Sequence, residues 1–148
     1  PQTADAATWK AIDATTGNFV DPNGSGTTQG TVKVDCVASK PQYRTVVETE
    51  NESFSAVISA ITCDASIEDA AKAVLIAYGL LADDPVFDYE GDQLYFNNKA
   101  SERLFHAGGY CNNPYYPTNA GVFYASGNNS SRTHASTSIG FRSAYVAL

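Results

Sequence analysis

The 148-residue sequence lacks several features that would place it in a familiar class. No apolar run approaches the roughly 20 residues that a membrane span needs, and no basic-then-apolar signal opens the chain. No Cys-x-x-Cys pair and no cysteine–histidine cluster with ligand spacing is present, so a structural zinc site is not expected. We therefore expect no membrane insertion, no bound metal and no cofactor.

Charge is scarce and unevenly distributed along the chain. Charged residues make up 17% of the sequence, below the usual quarter, while 43% of residues are hydrophobic, enough to build a core. All sixteen acidic residues lie at or before Glu102, and seven basic residues lie at or before Arg103, so the chain up to Leu104 has a net charge of −9. From Phe105 onward the only charged residues are Arg132 and Arg142. An acidic body without a basic patch argues against nucleic-acid binding.

The sequence leaves two alternatives open, one about a disulfide bond and one about calcium binding. Cys36 and Cys63 could be bridged in an extracellular protein, or both could be buried thiols. The acidic run from Asp83 to Asp92 could hold calcium. It lacks the spacing of an EF-hand, however, and a solvated turn is the stronger interpretation.

Hydrophobic periodicity predicts a small mixed domain of the α+β class. The clearest element is a helix over 66–82, capped by Ser66 or Asp64 and ended by Asp83-Asp84-Pro85. Its apolar face consists of Ile67, Ala71, Val74, Leu75, Tyr78 and Leu81. The other predictions are a short helix over 3–12, a loop over 13–30 anchored by Phe19 and Val20, a hairpin over 86–96, and strands over 31–37, 43–50, 53–62, 103–107, 120–126 and 138–146.

These elements suggest three regions along the chain. They are an N-terminal arm and linker (1–30), a strand–helix body (31–102) and a C-terminal segment (103–148). We expect the C-terminal strands to form a small sheet of their own with Phe123, Ile139 and Phe141 buried.

The C-terminal segment has the composition of a recognition surface. Tyrosine offers a large, rigid contact area and loses little side-chain entropy on binding, because it has few rotatable bonds. Asparagine and serine offer adaptable hydrogen bonds, and the same mixture is found in antibody paratopes. The alternative is a set of ordinary solvated loops, but such loops usually contain Asp, Glu and Lys. Glycine breaks at Gly108-Gly109 and Gly127 are expected to turn two polar loops out of one sheet edge. The residues expected on that shared, exposed face are Tyr110, Asn112, Asn113, Tyr115, Tyr116, Asn128, Asn129 and His134.

The same segment carries a recognisable order of motifs. A predicted strand that begins with Arg is followed by Gly-Gly and an Asn-rich loop. After these come a predicted strand with the sequence Ala-Gly-Val-Phe, a loop that contains Ser-Arg, and finally the sequence Ile-Gly-Phe-Arg. The matching positions are Arg103, Gly108, Gly109, Ala120, Gly121, Val122, Phe123, Ser131, Arg132, Ile139, Gly140, Phe141 and Arg142. This pattern resembles the C-type-lectin-like domain of the formylglycine-generating-enzyme type, and within it the variable proteins of diversity-generating retroelements, which include phage receptor-binding tail proteins. Cys111 stands where that family usually has tryptophan.

The resemblance implies a C-type-lectin-like C-terminal part that binds a ligand and performs no catalysis. Enzymes of the superfamily use two cysteines shortly after the Gly-Gly, and only Cys111 stands there. The expected ligand is a cell-surface protein or glycan of a bacterial host, and the expected location is a phage virion or, for an adhesin, the bacterial surface. A homo-oligomer, with a trimer as the first guess, would add avidity. The alternative is a structural virion subunit, such as a coat or decoration protein, without a dedicated ligand site.

Overall fold

A computed structural model describes residues 10–23, 28–49, 53–83, 93–97, 106–107 and 125–126. Within these residues one α-helix and several short strands give the chain a mixed α+β class. In chain order the elements are β1 (Ala11–Ile12), β2 (Phe19–Val20), β3 (Lys33–Val37), β4 (Lys40–Arg44), β5 (Ser53–Val57), a 3-10 turn (Ile58–Ala60), β6 (Thr62–Cys63), α1 (Asp69–Ala77), β7 (Gln93–Asn97), β8 (His106–Ala107) and β9 (Ala125–Ser126).

The strands form three sheets. Among the described residues, β1 and β2 make a two-stranded sheet, the order β3-β4-β6 makes a three-stranded sheet, and the order β5-β7-β9-β8 makes a four-stranded sheet. In both larger sheets antiparallel and parallel pairs are mixed, since β6 runs parallel to β4 and β9 runs parallel to β7. The 3-10 turn carries the chain from β5 in one sheet to β6 in the other, and its Ile58 is buried.

A tight turn at Ala38 and Ser39 joins β3 to β4. Both residues have positive φ, 50° and 63°, which is the geometry of a type I′ hairpin turn. The predicted strand over 31–37 is confirmed from Lys33 onward, but the prediction of a strand over 43–50 is wrong at residues 45–49. The turn starts β4 at Lys40, and the chain leaves the sheet after Arg44 because residues 45–49 make other hydrogen bonds, described below.

The core brings both larger sheets and the helix together. Its buried members are Ala14, Tyr43, Ile61, Ile67, Ala71, Leu75 and Leu94. Tyr43 comes from the three-stranded sheet and Leu94 from the four-stranded one, and neither has any exposed area. The phenol of Tyr43 donates a hydrogen bond to the carbonyl of Leu80 at 2.8 Å, which satisfies its one buried polar group.

Helix α1 begins later than the sequence predicts. Glu68 is its N-cap and makes no side-chain cap, while its backbone N–H donates to the carbonyl of Ala14 at 2.9 Å. Asp64 and Ser66, the predicted caps, lie in the turn before the helix, where the N–H and hydroxyl of Ser66 both donate to Asp64. The prediction of a Ser66 or Asp64 cap is therefore wrong, because those side chains bond to each other.

The helix also ends earlier than predicted, at Ala77 rather than before Asp83. Gly79 has φ of 66°, its N–H donates to Ile76, and the N–H of Leu80 reaches back to Leu75 at 2.9 Å. These two bonds make a Schellman motif, for which glycine supplies the left-handed conformation. The predicted apolar face is confirmed at its centre, where Ile67, Ala71 and Leu75 are buried, but Tyr78 is 64% exposed.

Three other predictions need correction. Ala11 and Ile12 pair with Val20 and Phe19, so the predicted helix over 3–12 does not reach its last two residues. The predicted strand over 53–62 is broken after Val57 by the 3-10 turn. The predicted hairpin over 86–96 is wrong at Leu94 and Tyr95, since both edges of β7 there are already paired with β5 and β9.

Cys36 and Cys63 are half-buried thiols that no disulfide joins to each other. Cys36 lies on β3 and Cys63 on β6, with β4 between them. Two strand spacings amount to about 9.5 Å, whereas a disulfide needs Cα atoms closer than about 7 Å. In the part of the chain that the structure covers, no helix is long and apolar enough to cross a membrane.

We predict that Gly17→Ala destabilises the protein more than Gly30→Ala. Both glycines have φ near +70°, so each substitution costs about 1–2 kcal/mol of backbone strain. A Cβ at Gly17 would also lie 2.7 Å from the carbonyl oxygen of Ala70 in α1, whereas a Cβ at Gly30 meets nothing within 4 Å. The added crowding should cost a further 1–3 kcal/mol, roughly, in the free energy of unfolding measured in urea. Equal losses for the two variants would show that Gly17 does not set the approach of α1.

Candidate functional site

The eight predicted recognition residues lie outside the described residues, as does most of the acidic run, 84–92. What the structure does show is the pair of strands that brackets the first polar loop. β8 and β9 are antiparallel, with Ala107 opposite Ala125 and His106 opposite Ser126. Both ends of segment 108–124 therefore meet at the Ala107–Ala125 pair. Five of the eight residues belong to this segment: Tyr110, Asn112, Asn113, Tyr115 and Tyr116.

The two described strands of the C-terminal segment, β8 and β9, do not form a separate sheet, contrary to the expectation from sequence. β9 runs parallel to β7, with Leu94 opposite Ala125 and Tyr95 opposite Ser126. The described strands of the segment thus extend the sheet that β5 and β7 begin. Alternation within a strand shows which residues share a face, but it carries no information about a partner some 30 residues away. Phe123, Ile139 and Phe141, expected to be buried, lie outside the described residues.

The expected exit of both polar loops from one sheet edge concerns the predicted strands 120–126 and 138–146, and of these only Ala125 and Ser126 lie within the described residues. The shared, exposed face of the eight recognition residues therefore stays a prediction.

A buried carboxylate network holds the chain that leads into the four-stranded sheet. Asp35 on β3 has no exposed area, and it accepts hydrogen bonds from its neighbour Cys36 and from the N–H groups of Glu48 and Thr49 at 3.0 and 3.2 Å. The hydroxyl of Thr49 donates to the same carboxylate. These bonds fold residues 45–49 back over β3, four residues before β5 begins.

Arg44 supplies the positive charge of this network. Its guanidinium lies 3.0 Å from carboxylate oxygens of Asp35, Glu48 and Asp64. The sheet register explains this arrangement. On one side, Arg44 pairs with Lys33, which lies two residues from Asp35 and on the same face of β3. On the other side, Tyr43 pairs with Cys63, so the next residues along the chain, Arg44 and Asp64, are also close together. Hydrogen bonds with these carboxylates raise the pKa of Arg44, so it stays charged.

Two carboxylates of the network, those of Asp35 and Asp64, are held in their ionised form. Burial alone raises the pKa of Asp35, but hydrogen bonds from Thr49, Glu48 and Cys36 outweigh it, so that pKa lies below 3.8. Hydrogen bonds from Ser66 and Arg44 likewise lower the pKa of Asp64.

Lys33 fixes the other side of the same segment. Its ammonium group donates to backbone carbonyls of Thr28, Thr31 and Thr45 at 2.6–3.3 Å, and burial lowers its pKa. Together, Lys33 and Asp35 tie the chain after β4 to the polar face of the three-stranded sheet.

This network is a scaffold that sequence analysis did not single out. The sequence signal for this network was the alternation of apolar and polar residues around Asp35, which lies between Val34 and Cys36. This alternation places Asp35 on the polar face of the strand. It does not show that another part of the chain buries that face. Within the described ranges no group of three His, Cys, Asp or Glu residues is arranged to hold a metal ion.

We predict that Asp35→Asn costs about 1–3 kcal/mol of unfolding free energy at pH 7, because an amide oxygen cannot accept all of the hydrogen bonds that the buried carboxylate accepts. Arg44 keeps its ion pairs with Glu48 and Asp64. The new amide N–H₂ would also face donors from Arg44, Glu48 and Thr49. The pKa of Asp35 is lowered by folding, so its stabilisation is present above about pH 4 and lost as pH falls through the lowered value. The variant should therefore lose less stability than the wild type between pH 5 and pH 2, measured by urea unfolding.

Asp69→Asn is the matched control, because Asp69 is 97% exposed and pairs only with Lys72 among described side chains. Such a pair contributes little, so the control should unfold at the wild-type urea concentration at pH 7. An Asp35→Asn variant as stable as this control would contradict the role given to the network.

Comparison with known proteins adds no relative to these observations: no protein-family model matches the chain, and no curated protein is significantly similar to it.

Proposed function

We propose that the chain is a ligand-binding protein with a C-type-lectin-like C-terminal part that displays polar and aromatic loops for receptor recognition. The observation that carries the proposal is the composition of the segment after Phe105. It contains no Asp, Glu or Lys, although the preceding part carries sixteen acidic residues. Tyrosine with asparagine and serine is the residue mixture that binds by rigid contact area and adaptable hydrogen bonds.

The strand pairing of β8 and β9 supports this proposal. Segment 108–124 begins and ends at one cross-strand pair, and β9 is attached to β7, whose Leu94 is fully buried in the core. Binding residues in proteins are commonly carried on loops that a rigid scaffold positions. A closed loop beside a strand anchored in the core has that organisation.

The proposed ligand is a protein or glycan on the surface of a bacterial host, and the proposed location is a virion or a bacterial cell surface. No catalytic role is proposed. Superfamily enzymes use two cysteines after the Gly-Gly, and the sequence has only Cys111 in that stretch.

We predict that replacing the five loop residues of segment 108–124 with alanine abolishes binding while leaving stability nearly unchanged. The five are Tyr110, Asn112, Asn113, Tyr115 and Tyr116. Exposed side chains usually contribute within about 0.5 kcal/mol to stability, whereas tyrosines in a recognition surface contribute much of the binding energy. Binding of fluorescent protein to a panel of bacterial cells, read by flow cytometry, measures the first effect, and thermal unfolding measures the second.

A variant with alanine at Thr15, Lys40 and Asp69, three exposed positions outside the C-terminal segment, is the control. It should bind cells as the wild type does. Undiminished cell binding by the loop variant would contradict the proposal and favour a structural subunit. A large loss of melting temperature would show that the tyrosines are part of the core.

We also predict that the protein is a homo-oligomer, with a trimer as the first expectation. A single loop surface binds weakly, and joining several copies raises overall affinity without any new contact. Light scattering at tens of micromolar protein gives the mass directly. A monomer of 15.7 kDa at that concentration would contradict the prediction.

A further inference from the structure

The five residues that follow β4, residues 45–49, form a strap over the polar face of β3. Three N–H groups of this strap donate hydrogen bonds to side chains. The N–H of Thr45 donates to the hydroxyl of Ser66 at 3.1 Å. The N–H groups of Glu48 and Thr49 donate to the carboxylate of Asp35 at 3.0 and 3.2 Å. The strap is therefore held near each of its ends by a side chain from another part of the chain.

Both attachments of the strap depend on an ionised carboxylate. Asp35 accepts directly from the strap, whereas Ser66, which accepts from Thr45, donates its own hydroxyl and N–H to the carboxylate of Asp64. Arg44 joins the two carboxylates, since its guanidinium lies 3.0 Å from an oxygen of each. The strap thus hangs from two negative charges that share one cation.

The middle of the strap buries little apolar surface. Val46 is 60% exposed and Val47 is 38% exposed. Burial of apolar surface is the main driving force of folding, so segments that lack it open locally at a lower free energy than the whole protein. The neighbouring strands are held separately, because β4 pairs with β3 and β5 pairs with β7 over five residues each. The strap can therefore open without either strand.

Acid changes the charges around the strap in one direction. Among the described residues, the charged groups that face it are Lys33 and Asp35 of β3, Arg44 of β4, Asp64 after β6, and its own Glu48. Burial raises the pKa of Asp35, but its hydrogen bonds lower that pKa by more, and hydrogen bonds from Ser66 lower the pKa of Asp64. A lowered pKa in the closed state stabilises that state above about pH 4, and this stabilisation is lost as pH falls through the lowered value.

We propose that residues 45–49 are an acid-operated strap: proton uptake by Asp35 and Asp64 releases it from β3 while the core of the protein stays folded. A protonated carboxyl has an O–H donor in place of one acceptor. At Asp35 that donor would face other donors, the N–H groups of Glu48 and Thr49 and the guanidinium of Arg44. The inference stands independently of the proposed ligand-binding function.

Amide hydrogen exchange of the full chain, followed by NMR between pH 6 and pH 3, tests the inference. At every pH we expect the N–H groups of Glu48 and Thr49 to be less protected than that of Leu75 in α1, because they exchange through a local opening. Their protection should fall about tenfold between pH 5 and pH 3. A carboxyl that regains its usual pKa on opening favours the open state by up to about tenfold per pH unit below that pKa.

Two variants test the carboxylates separately. Asp35→Asn and Asp64→Asn should each reduce the fall in protection of the strap, because each removes one titrating group, and either variant suffices if the other does not fold. Asp69→Asn is the matched control, since Asp69 is 97% exposed and pairs with Lys72. In this variant the protection of Glu48 and Thr49 should fall as it does in the wild type.

Three results would overturn the inference. The first is a protection of Glu48 and Thr49 that stays constant from pH 5 to pH 3 in the wild type. The second is a protection equal to that of Leu75 at every pH, because the strap would then open only when the whole protein unfolds. The third is a fall of wild-type size in the folded asparagine variants of Asp35 and Asp64.

Discussion

The carboxylate of Asp35 is the point at which several otherwise separate stretches of the chain meet. It lies within β3, yet its hydrogen-bond donors come from Arg44 in β4 and from Glu48 and Thr49 beyond it. A buried charge is tolerated only when it is paired and hydrogen-bonded, so the path of residues 45–49 is not free to vary. Since β5 begins four residues after Thr49, this constraint also determines where the four-stranded sheet starts.

From that starting point, the core connects the body to the strands near the C-terminus. The four-stranded sheet contributes Leu94 to the cluster that also contains Tyr43 and Leu75. β9 pairs with β7, the strand that carries Leu94. The attachment of β9 to the core therefore depends on a helix and a sheet whose residues come much earlier in the sequence.

The parts of the fold that could be predicted from sequence are those governed by local periodicity. Strand 31–37 and the buried stripe of Ile67, Ala71 and Leu75 follow directly from the spacing of apolar residues. The turn at Ala38 and Ser39 could not be predicted in this way, because it adopts the φ values that Asn-Gly normally supplies.

Helix length was misjudged for a related reason. Leu80 and Leu81 continue the apolar pattern past Gly79, so periodicity extends the helix where backbone geometry ends it. For the recognition surface, composition alone pointed to the segment from Phe105 onward, since a run without Asp, Glu or Lys is visible in the sequence. The attachment of β9 to β7 depends on long-range pairing that no local pattern contains.

The pairing of Ala107 with Ala125 holds together the two ends of the 17-residue segment between them. For a flexible chain, the entropic cost of bringing the ends together grows only with the logarithm of the chain length, so doubling the length adds about 0.6 kcal/mol. A change in the number of residues between two paired positions therefore has a small thermodynamic cost of closure, provided that the pair itself is kept.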